Sequence, residues 1–184
     1  SQDRSSTYSH DTEQASPSYY SVMLDDYQIK AEITGLSRAG IMSFDFQNPG
    51  ENYLIIEPNS DEGIGYVEID PEKKEIRGYN PVHRIYQGWG KEAGFSGHFV
   101  IQLQDEIAEY GIWNNETIQS GQNSVKGENS NVGACVKLSI ATPCRINVKV
   151  GTSFTSIENA RKNLESEIPD WNFGNVRSKS SKIW

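Results

Sequence analysis

One short stretch of the chain brings together side chains that are suited to binding a sugar. The segment spanning residues 80–97 combines aromatic, cationic, imidazole and amide groups with four glycines. Aromatic rings stack on the C–H face of a pyranose, Arg, Gln and His hydrogen-bond its hydroxyl groups, and glycines let the backbone approach a ligand. The candidate lining residues are His83, Arg84, Tyr86, Gln87, Trp89 and Phe95.

Two other interpretations of this segment remain open. Trp89 and Phe95 could plug the edge of a sheet, with no ligand involved. The segment could also contact a second domain. All three interpretations require the segment to connect two strands, which the flanking alternation predicts.

A second polar cluster, Ser9-His10-Asp11-Thr12-Glu13, lies near the start of the chain. A histidine beside two acids in an irregular lead-in favours a capped, solvated turn over a metal or catalytic site. The functional alternative is packing at a domain junction. His98 falls inside a predicted strand, where we expect a core or edge histidine with satisfied hydrogen bonds.

Alternation of apolar and polar residues with a period of two recurs along most of the chain. It predicts about nine or ten short strands joined by turns, and therefore an all-β antiparallel sandwich. Residues 53–56 form a continuous apolar run, which is typical of a strand covered on both faces. The predicted strands are 20–24, 29–33, 42–46, 53–56, 66–69, 75–79, 99–103, 108–113, 134–140 and 144–150.

Between residues 114 and 132 the composition is dominated by Asn, Gly, Ser, Gln, Lys and Glu. Such a segment has few apolar side chains to offset the entropy of ordering, so we expect a long, mobile surface loop. Cys135 and Cys144 fall in consecutive strands with opposite alternation phases. We therefore expect them on opposite faces of a hairpin, as free thiols.

Helices are predicted only at the carboxyl end. Ser156 is a candidate N-cap for a first helix, whose apolar face contains Ile157, Ala160 and Leu164 and which Pro169 terminates. Asn172 is a candidate cap for a second helix over 173–184. Phe173, Val176 and Trp184 are its candidate buried positions.

Bulk composition excludes some classes of function. The chain has 184 residues and a net charge of −8, and an acidic surface disfavours binding to nucleic acid. The mean hydropathy is −0.64, and no apolar run approaches the roughly 20 residues of a membrane span. The sequence contains no motif with the spacing of zinc ligands, no phosphate-binding loop and no serine nucleophile elbow.

Two motifs give the chain a family resemblance. Residues 9–24 follow the pattern SH-[DE]-x-E-x-A-x-P-x-YY-x-V-x-L, and residues 156–173 follow SxENAxxNLxxEIPxWxF. Both patterns resemble the amino-terminal region of family 92 glycoside hydrolases, which are calcium-dependent, inverting, exo-acting α-mannosidases. The two motifs lie near opposite ends of the chain in the expected order. The segment at Trp89 is also similar to a Gly-Trp loop of that family.

The resemblance implies a galactose mutarotase-like supersandwich over residues 1–152 that lacks the family's first strands. Residues 153–184 would then be a helical linker towards an α/α-toroid catalytic domain. In the family that domain supplies the general acid, the base and the calcium ligands, so no catalytic residue, metal ligand or cofactor is assigned to this chain. The implied partners are the catalytic domain and mannose-containing glycans, and the implied location is the periplasm, the extracellular space or the cell surface.

Three functions are consistent with these observations. The first is a non-catalytic domain that helps to shape the mannoside site of an α-mannosidase. The second is a stand-alone carbohydrate-binding module that uses the Trp89 loop, and the third is a structural or adhesive sandwich. The amphipathic helical segment at the carboxyl end favours the first.

Overall fold

The structure is a computed structural model, and it describes residues 5–48, 50–58, 64–83, 90–140 and 144–184. It confirms the predicted all-β antiparallel sandwich, with two open sheets and two short helices. Neither helix of the described part is long and apolar enough to span a membrane.

The larger sheet has nine strands in the order β1-β2-β3-β4-β13-β8-β7-β6-β11, each antiparallel to its neighbours. Its strands are β1 (Gln14–Ser16), β2 (Tyr19–Leu24), β3 (Ile29–Gly35), β4 (Ala39–Phe46), β6 (Tyr66–Asp70), β7 (Glu75–His83), β8 (Glu92–Leu103), β11 (Ser124–Lys126) and β13 (Cys144–Ser153). The smaller sheet has the order β10-β9-β12-β5. Its strands are β5 (Gly50–Ile56), β9 (Glu109–Asn114), β10 (Thr117–Ser120) and β12 (Val132–Ile140).

The main core lies between the two sheets. The inner face of the larger sheet contributes residues such as Val67, Ile76 and Ile146, and the smaller sheet contributes Ile112 and Val136. These side chains are between 0% and 3% exposed. Alternation places the residues between them on the outer faces, as a sandwich requires.

The helices α1 (Ile157–Glu167) and α2 (Phe173–Ile183) pack on the outer face of the larger sheet. Ser156 and Asn172 cap them as predicted, because each side chain accepts a hydrogen bond from a backbone N–H of the first turn. Ala160, Leu164 and Val176 are buried against this face. The prediction for Trp184 is wrong: it is 80% exposed at the end of α2.

Several contacts fix the helical segment to the sheet. The Arg177 guanidinium lies 3.6 Å from the centroid of the Tyr19 ring. Phe173 meets the same ring edge-on at 6.3 Å. The Lys149 ammonium, 5% exposed, donates to the carbonyl of Ile168, and burial lowers its pKa. The helical segment is therefore packed as part of the sandwich and has more partners than its sequence indicates.

Three other expectations are corrected. Residues 114–132 are not one long loop, because they contain β10 and β11, which hydrogen-bond to β9 and β6. Strand pairing uses backbone groups, so it does not require apolar side chains. The apolar run 53–56 is in the edge strand β5, with Tyr53 52% and Ile55 42% exposed. Finally, Cys135 and Cys144 are free thiols, as expected, but they lie in different sheets and not in one hairpin.

The smaller sheet does not cover the whole inner face of the larger one. One row across β2, β3, β4, β13 and β8 consists of Tyr20, Ile33, Met42, Val148 and Leu103. Tyr20 is 36% exposed and Ile33 44%, whereas Val148 and Leu103 are 1% and 2% exposed. In this row the core is therefore closed at β13 and β8 and open at β2 and β3, whereas Val22, on the same face of β2, is only 9% exposed.

Candidate functional site

The predicted ligand-lining segment connects β7 to β8, which pair as an antiparallel hairpin. His83, the last residue of β7, lies opposite Glu92, and an irregularity separates this pair from Pro81. The structure thus places His83 and Phe95 near the same end of the hairpin. Arg84, Tyr86, Gln87 and Trp89 lie outside the described residues.

An aromatic pair is exposed at this end. The ring of Phe95 meets the ring of Phe154 edge-on, with centroids 5.6 Å apart and planes at 88°. Phe95 is 47% exposed and Phe154 70%. Two exposed rings in contact can offer stacking or docking area to a sugar or to another domain. Sequence reasoning missed Phe154, because it lies some 60 residues away and no local pattern links it to Phe95.

The conformation of Gly94 shapes this end of β8. Its φ is +86°, and a Cβ atom built there would have no heavy atom within 4 Å. The glycine is therefore required by its backbone conformation and not by crowding. This conformation fixes the direction in which Phe95 leaves the strand.

Three rings form a row across β6, β7 and β8 on the helix-bearing face of the sheet. Tyr66 stacks on Tyr79 at 5.6 Å, and Tyr79 lies 5.8 Å from His98. His98 lies in a strand, as predicted. The expectation of satisfied hydrogen bonds is wrong for its Nδ1, which is buried and has no hydrogen-bond partner among the described residues.

Tyr66 and Tyr79 were also missed by sequence reasoning. Each occupies an alternating position that marks it only as one face of a strand. Their register on neighbouring strands places them side by side, and no signal within a single strand shows that pairing. Burial, together with the Glu68 carboxylate that accepts from its hydroxyl, raises the pKa of Tyr66 to about 12. Tyr66 therefore stays protonated over the physiological range and serves as a hydrogen-bond donor.

A network of charges continues this face towards α1. The carboxylate of Glu75 is 2% exposed and lies between two guanidinium groups. Arg161 of α1 donates to both of its oxygens, at 2.5 and 3.0 Å, and Arg77 donates at 3.2 Å. Burial acts to raise the pKa of Glu75, but these hydrogen bonds and charges outweigh it and hold the pKa below its ordinary value.

An open groove of about 680 Å³ lies beside this network, between α1 and strands β7 and β8. Its lining is charged, but much of that charge is internally paired. Arg161 binds Glu158 at 2.8 Å as well as Glu75, and Lys73 binds Asp70 at 3.1 Å. These ion pairs therefore stabilise the junction between the helix and the sheet, and the carboxylates of Glu75, Glu158 and Asp70 are already paired. The lining residues are Lys73, Glu75, Arg77, Gln102, Ile157, Glu158, Arg161 and Glu165.

The pKa shifts of the described carboxyl groups bear on acid catalysis. A glycosidase general acid needs a raised pKa so that it carries a proton near neutral pH. Every described carboxyl group whose pKa is displaced is displaced downwards. These groups are Glu13, Asp26, Glu32, Glu51, Glu68, Asp70 and Glu75.

Two further sequence features can be placed. The segment from Ser9 to Glu13 forms a solvated turn, in which the Thr12 N–H donates to the Ser9 carbonyl and His10 pairs with Glu13 at 2.6 Å. Tyr20 also donates to Glu13, so the solvated-turn interpretation is confirmed. The turn at Asp25 and Asp26 joins β2 to β3, between two predicted strands.

Within the described ranges, no group of three or more His, Cys, Asp and Glu side chains is arranged to hold a metal ion. The donor set needed for the calcium that the resemblance implies is therefore not found among those residues.

Comparison with known proteins decides the family. Residues 1–153 match the model of the glycosyl hydrolase family 92 N-terminal domain. The chain belongs to glycosyl hydrolase family 92. No curated protein sequence gives a significant match to it.

Solved structures support the assignment of this family 92 chain. The chain superposes on the family GH92 inverting mannosidase BT2199 from Bacteroides thetaiotaomicron VPI-5482 with a TM-score of 0.83 and 21% sequence identity. The match covers 97% of this chain and 23% of the mannosidase chain. The family GH92 α-mannosidase BT3965 from Bacteroides thetaiotaomicron gives a TM-score of 0.82 at 27% sequence identity, and the match covers 97% of this chain and 24% of the mannosidase chain. The chain thus spans about a quarter of the length of these structures.

A more distant likeness concerns the fold alone. A bacterial glucoamylase complexed with acarbose superposes on the family 92 chain with a TM-score of 0.56 at 10% identity. The match covers 90% of this chain and 26% of the glucoamylase.

Proposed function

We propose that this chain is the non-catalytic amino-terminal domain of an α-mannosidase and that the end of its β7–β8 hairpin rims the mannoside site. The observation that carries the proposal is the match of nearly the whole chain to one quarter of the mannosidase structures. The downward pKa shifts of carboxyl groups such as Glu32 and Glu75 are the opposite of what a general acid requires, which supports placing catalysis in the remaining three quarters.

The exposed pair of Phe95 and Phe154 supports the position of the rim. It lies at the end of the hairpin that carries the sugar-binding residue types, and α1 begins only three residues after Phe154. We therefore expect a following catalytic domain to approach this end of the sandwich. Calcium, the general acid and the base would come from that domain. The mannoside would be bound between the two, and the intact enzyme would act in the periplasm or at the cell surface.

Residues 1–152 would form a sandwich that further strands complete, and residues 153–184 would be the helical linker. The unclosed row at Tyr20 and Ile33 supports this division. The outer edge of β5 lies at the end of the smaller sheet. An added strand could pair with that edge and extend the smaller sheet towards β2 and β3.

The test is Phe95→Ala in the intact enzyme, with Trp89→Ala as the second variant. Loss of a stacking ring at the rim should lower kcat/KM for an α-mannobioside by about tenfold, which corresponds to about 1.4 kcal/mol. Tyr27→Ala is the matched control, because Tyr27 is also 47% exposed but lies in the β2–β3 turn.

Thermal unfolding separates the rim from a purely structural role. The rim proposal requires normal melting temperatures with reduced kcat/KM in both hairpin variants. Unchanged kinetics combined with a lower melting temperature would show that these rings plug the sheet edge. Tight mannan binding by the 184-residue chain that depends on Trp89 would favour the stand-alone module.

A further inference from the structure

The outer face of the smaller sheet carries a single tryptophan in an unusual position. Trp113 of β9 lies opposite Gly133 of β12, and a Cβ atom at Gly133 would lie 2.0 Å from the indole ring. The ring therefore lies over the backbone of the neighbouring strand, in the space that any other side chain would occupy. Trp113 is half-buried. Because the ring packs on the strand at Gly133 and is only half-buried, part of the indole is open to solvent.

Hydrogen bonds hold the ring in this orientation. The indole Nε1 donates to Oδ1 of Asn131 at 2.9 Å. The Asn131 N–H donates in turn to Oδ1 of Asn115 at 3.1 Å, and the Asn115 N–H donates to the Asn131 carbonyl at 2.6 Å. The ring is thus fixed before any ligand binds, which reduces the entropy cost of binding.

The surroundings of the ring are shallow and suited to a flat ligand. Gly111, next to Trp113 on the same face of β9, carries no side chain; its backbone is buried, and Cys135 lies opposite it on β12. Ile118, 73% exposed, lies directly across from Trp113. Ser120 and the two asparagines add hydroxyl and amide groups at the rim. We call this surface the Trp113 platform, defined by Trp113, Gly133, Gly111, Ile118, Asn131 and Ser120.

We propose that the Trp113 platform binds one hexopyranose unit of a neutral glycan by stacking of the sugar on the indole. An apolar ring face bordered by amide and hydroxyl groups matches the two surfaces of a pyranose, its C–H face and its hydroxyl rim. The platform lies on the smaller sheet, whereas the hairpin-end site belongs to the larger sheet. The inference therefore does not depend on the proposed role of the hairpin.

Charges beside the platform argue against other occupants. Lys137 lies two residues beyond Cys135 on the same face and pairs with Glu51 at 2.7 Å and Glu109 at 3.2 Å. This charged triad borders the apolar surface beside Tyr53, which lies opposite Lys137, whereas Cys135 and the exposed Ile55 lie between Trp113 and Tyr53. A stable protein interface buries about 800 Å² on each partner, whereas one sugar ring needs only the indole and its rim. The net charge of −8 disfavours an anionic polymer.

Affinity electrophoresis of the 184-residue chain through gels containing yeast α-mannan, glycogen or barley β-glucan tests the proposal. At least one polymer should retard the chain, and Trp113→Ala should weaken that binding by about tenfold or more. Trp184→Ala is the matched control, since Trp184 is 80% exposed at the opposite side of the fold and should bind normally.

Trp113→Ala uncovers Gly133 and could unfold the sheet, so a second variant is needed. Ile118→Arg keeps the indole and places a long charged side chain beside it, at a position that is already exposed. It should retain the circular dichroism spectrum of the parent chain and lose binding to the same degree.

Three results would overturn the proposal. The first is the absence of retardation by every polymer of the panel. The second is full binding by folded Ile118→Arg. The third is self-association of the parent chain in sedimentation that Ile118→Arg abolishes, which would make the platform an interface between two copies.

Discussion

The buried ion pair between Glu75 and Arg161 should be the main polar contact that fixes α1 to the sheet. Replacing Arg161 by Met removes two hydrogen bonds of 2.5 and 3.0 Å to a carboxylate that is 2% exposed. Breaking a fully buried pair costs about 3–5 kcal/mol. Arg77 still donates to Glu75, and the Arg161 side chain is 23% exposed, so we expect a loss of about 2–3 kcal/mol.

The chain contains a matched control for this change. Arg38 pairs with Glu167 of α1 at 3.0 Å, but its side chain is 60% exposed. Arg38→Met also removes one helix–sheet ion pair and should cost about 0–1 kcal/mol, as exposed pairs do. The measurement is urea unfolding of both variants at pH 7, followed by circular dichroism. Equal losses in the two variants would refute the assignment of Glu75 as the main anchor.

The same pair predicts a dependence on pH. The folded pKa of Glu75 is lowered from an ordinary value of 4.5. A lowered carboxyl pKa contributes stability above that ordinary value, and the contribution is lost as pH falls through the folded pKa. The stability difference between the parent chain and Arg161→Met should therefore be constant from pH 7 to about pH 5 and shrink below about pH 4.5. A difference that grows on acidification would contradict this.

Three further predictions concern packing. Gly133→Ala should lower the free energy of unfolding in urea by about 3 kcal/mol, because its Cβ would lie 2.0 Å from the indole of Trp113. Gly97→Ala is the control: its Cβ would have no contact closer than 3.8 Å, so the free energy should change by no more than about 0.5 kcal/mol. Gly94→Ala should cost about 1–2 kcal/mol because φ is +86° there, and equal stability would show that the backbone relaxes. Ile33→Ser should lower the free energy of unfolding by at least about 1 kcal/mol more in the intact enzyme than in the 184-residue chain, if further strands cover Tyr20 and Ile33 there. Equal losses in the two proteins would show that no added strand buries Ile33.

Strand positions could be predicted from the sequence because alternation is a local property. The pairing of those strands is not local. β12 and β13 are consecutive strands, and both alternate apolar and polar residues, yet they belong to different sheets. The predicted hairpin between them was therefore wrong. The exposure of Tyr53 and Ile55 could not be predicted for a related reason, because an apolar run does not show whether its strand lies at the edge of a sheet.

The candidate site was partly predictable for the same reason. Residue types that bind sugars could be recognised around His83 and Phe95, because they are close in sequence. The partner ring of Phe154, the stacked Tyr66 and Tyr79, and the position of Trp113 over Gly133 all depend on register between strands. The anchors of α2 depend on a cation–π contact between Arg177 and Tyr19, which are far apart in the chain.

If this chain is the non-catalytic domain of an α-mannosidase, the intact enzyme and the chain alone must differ in activity. The most direct measurement compares mannose release from an α-mannobioside by the intact enzyme and by the purified 184-residue chain, each with and without added calcium. We predict calcium-dependent release by the intact enzyme and none by the chain alone. Release of mannose by the 184-residue chain, or inactivity of the folded intact enzyme towards every α-mannobioside linkage, would contradict the claim.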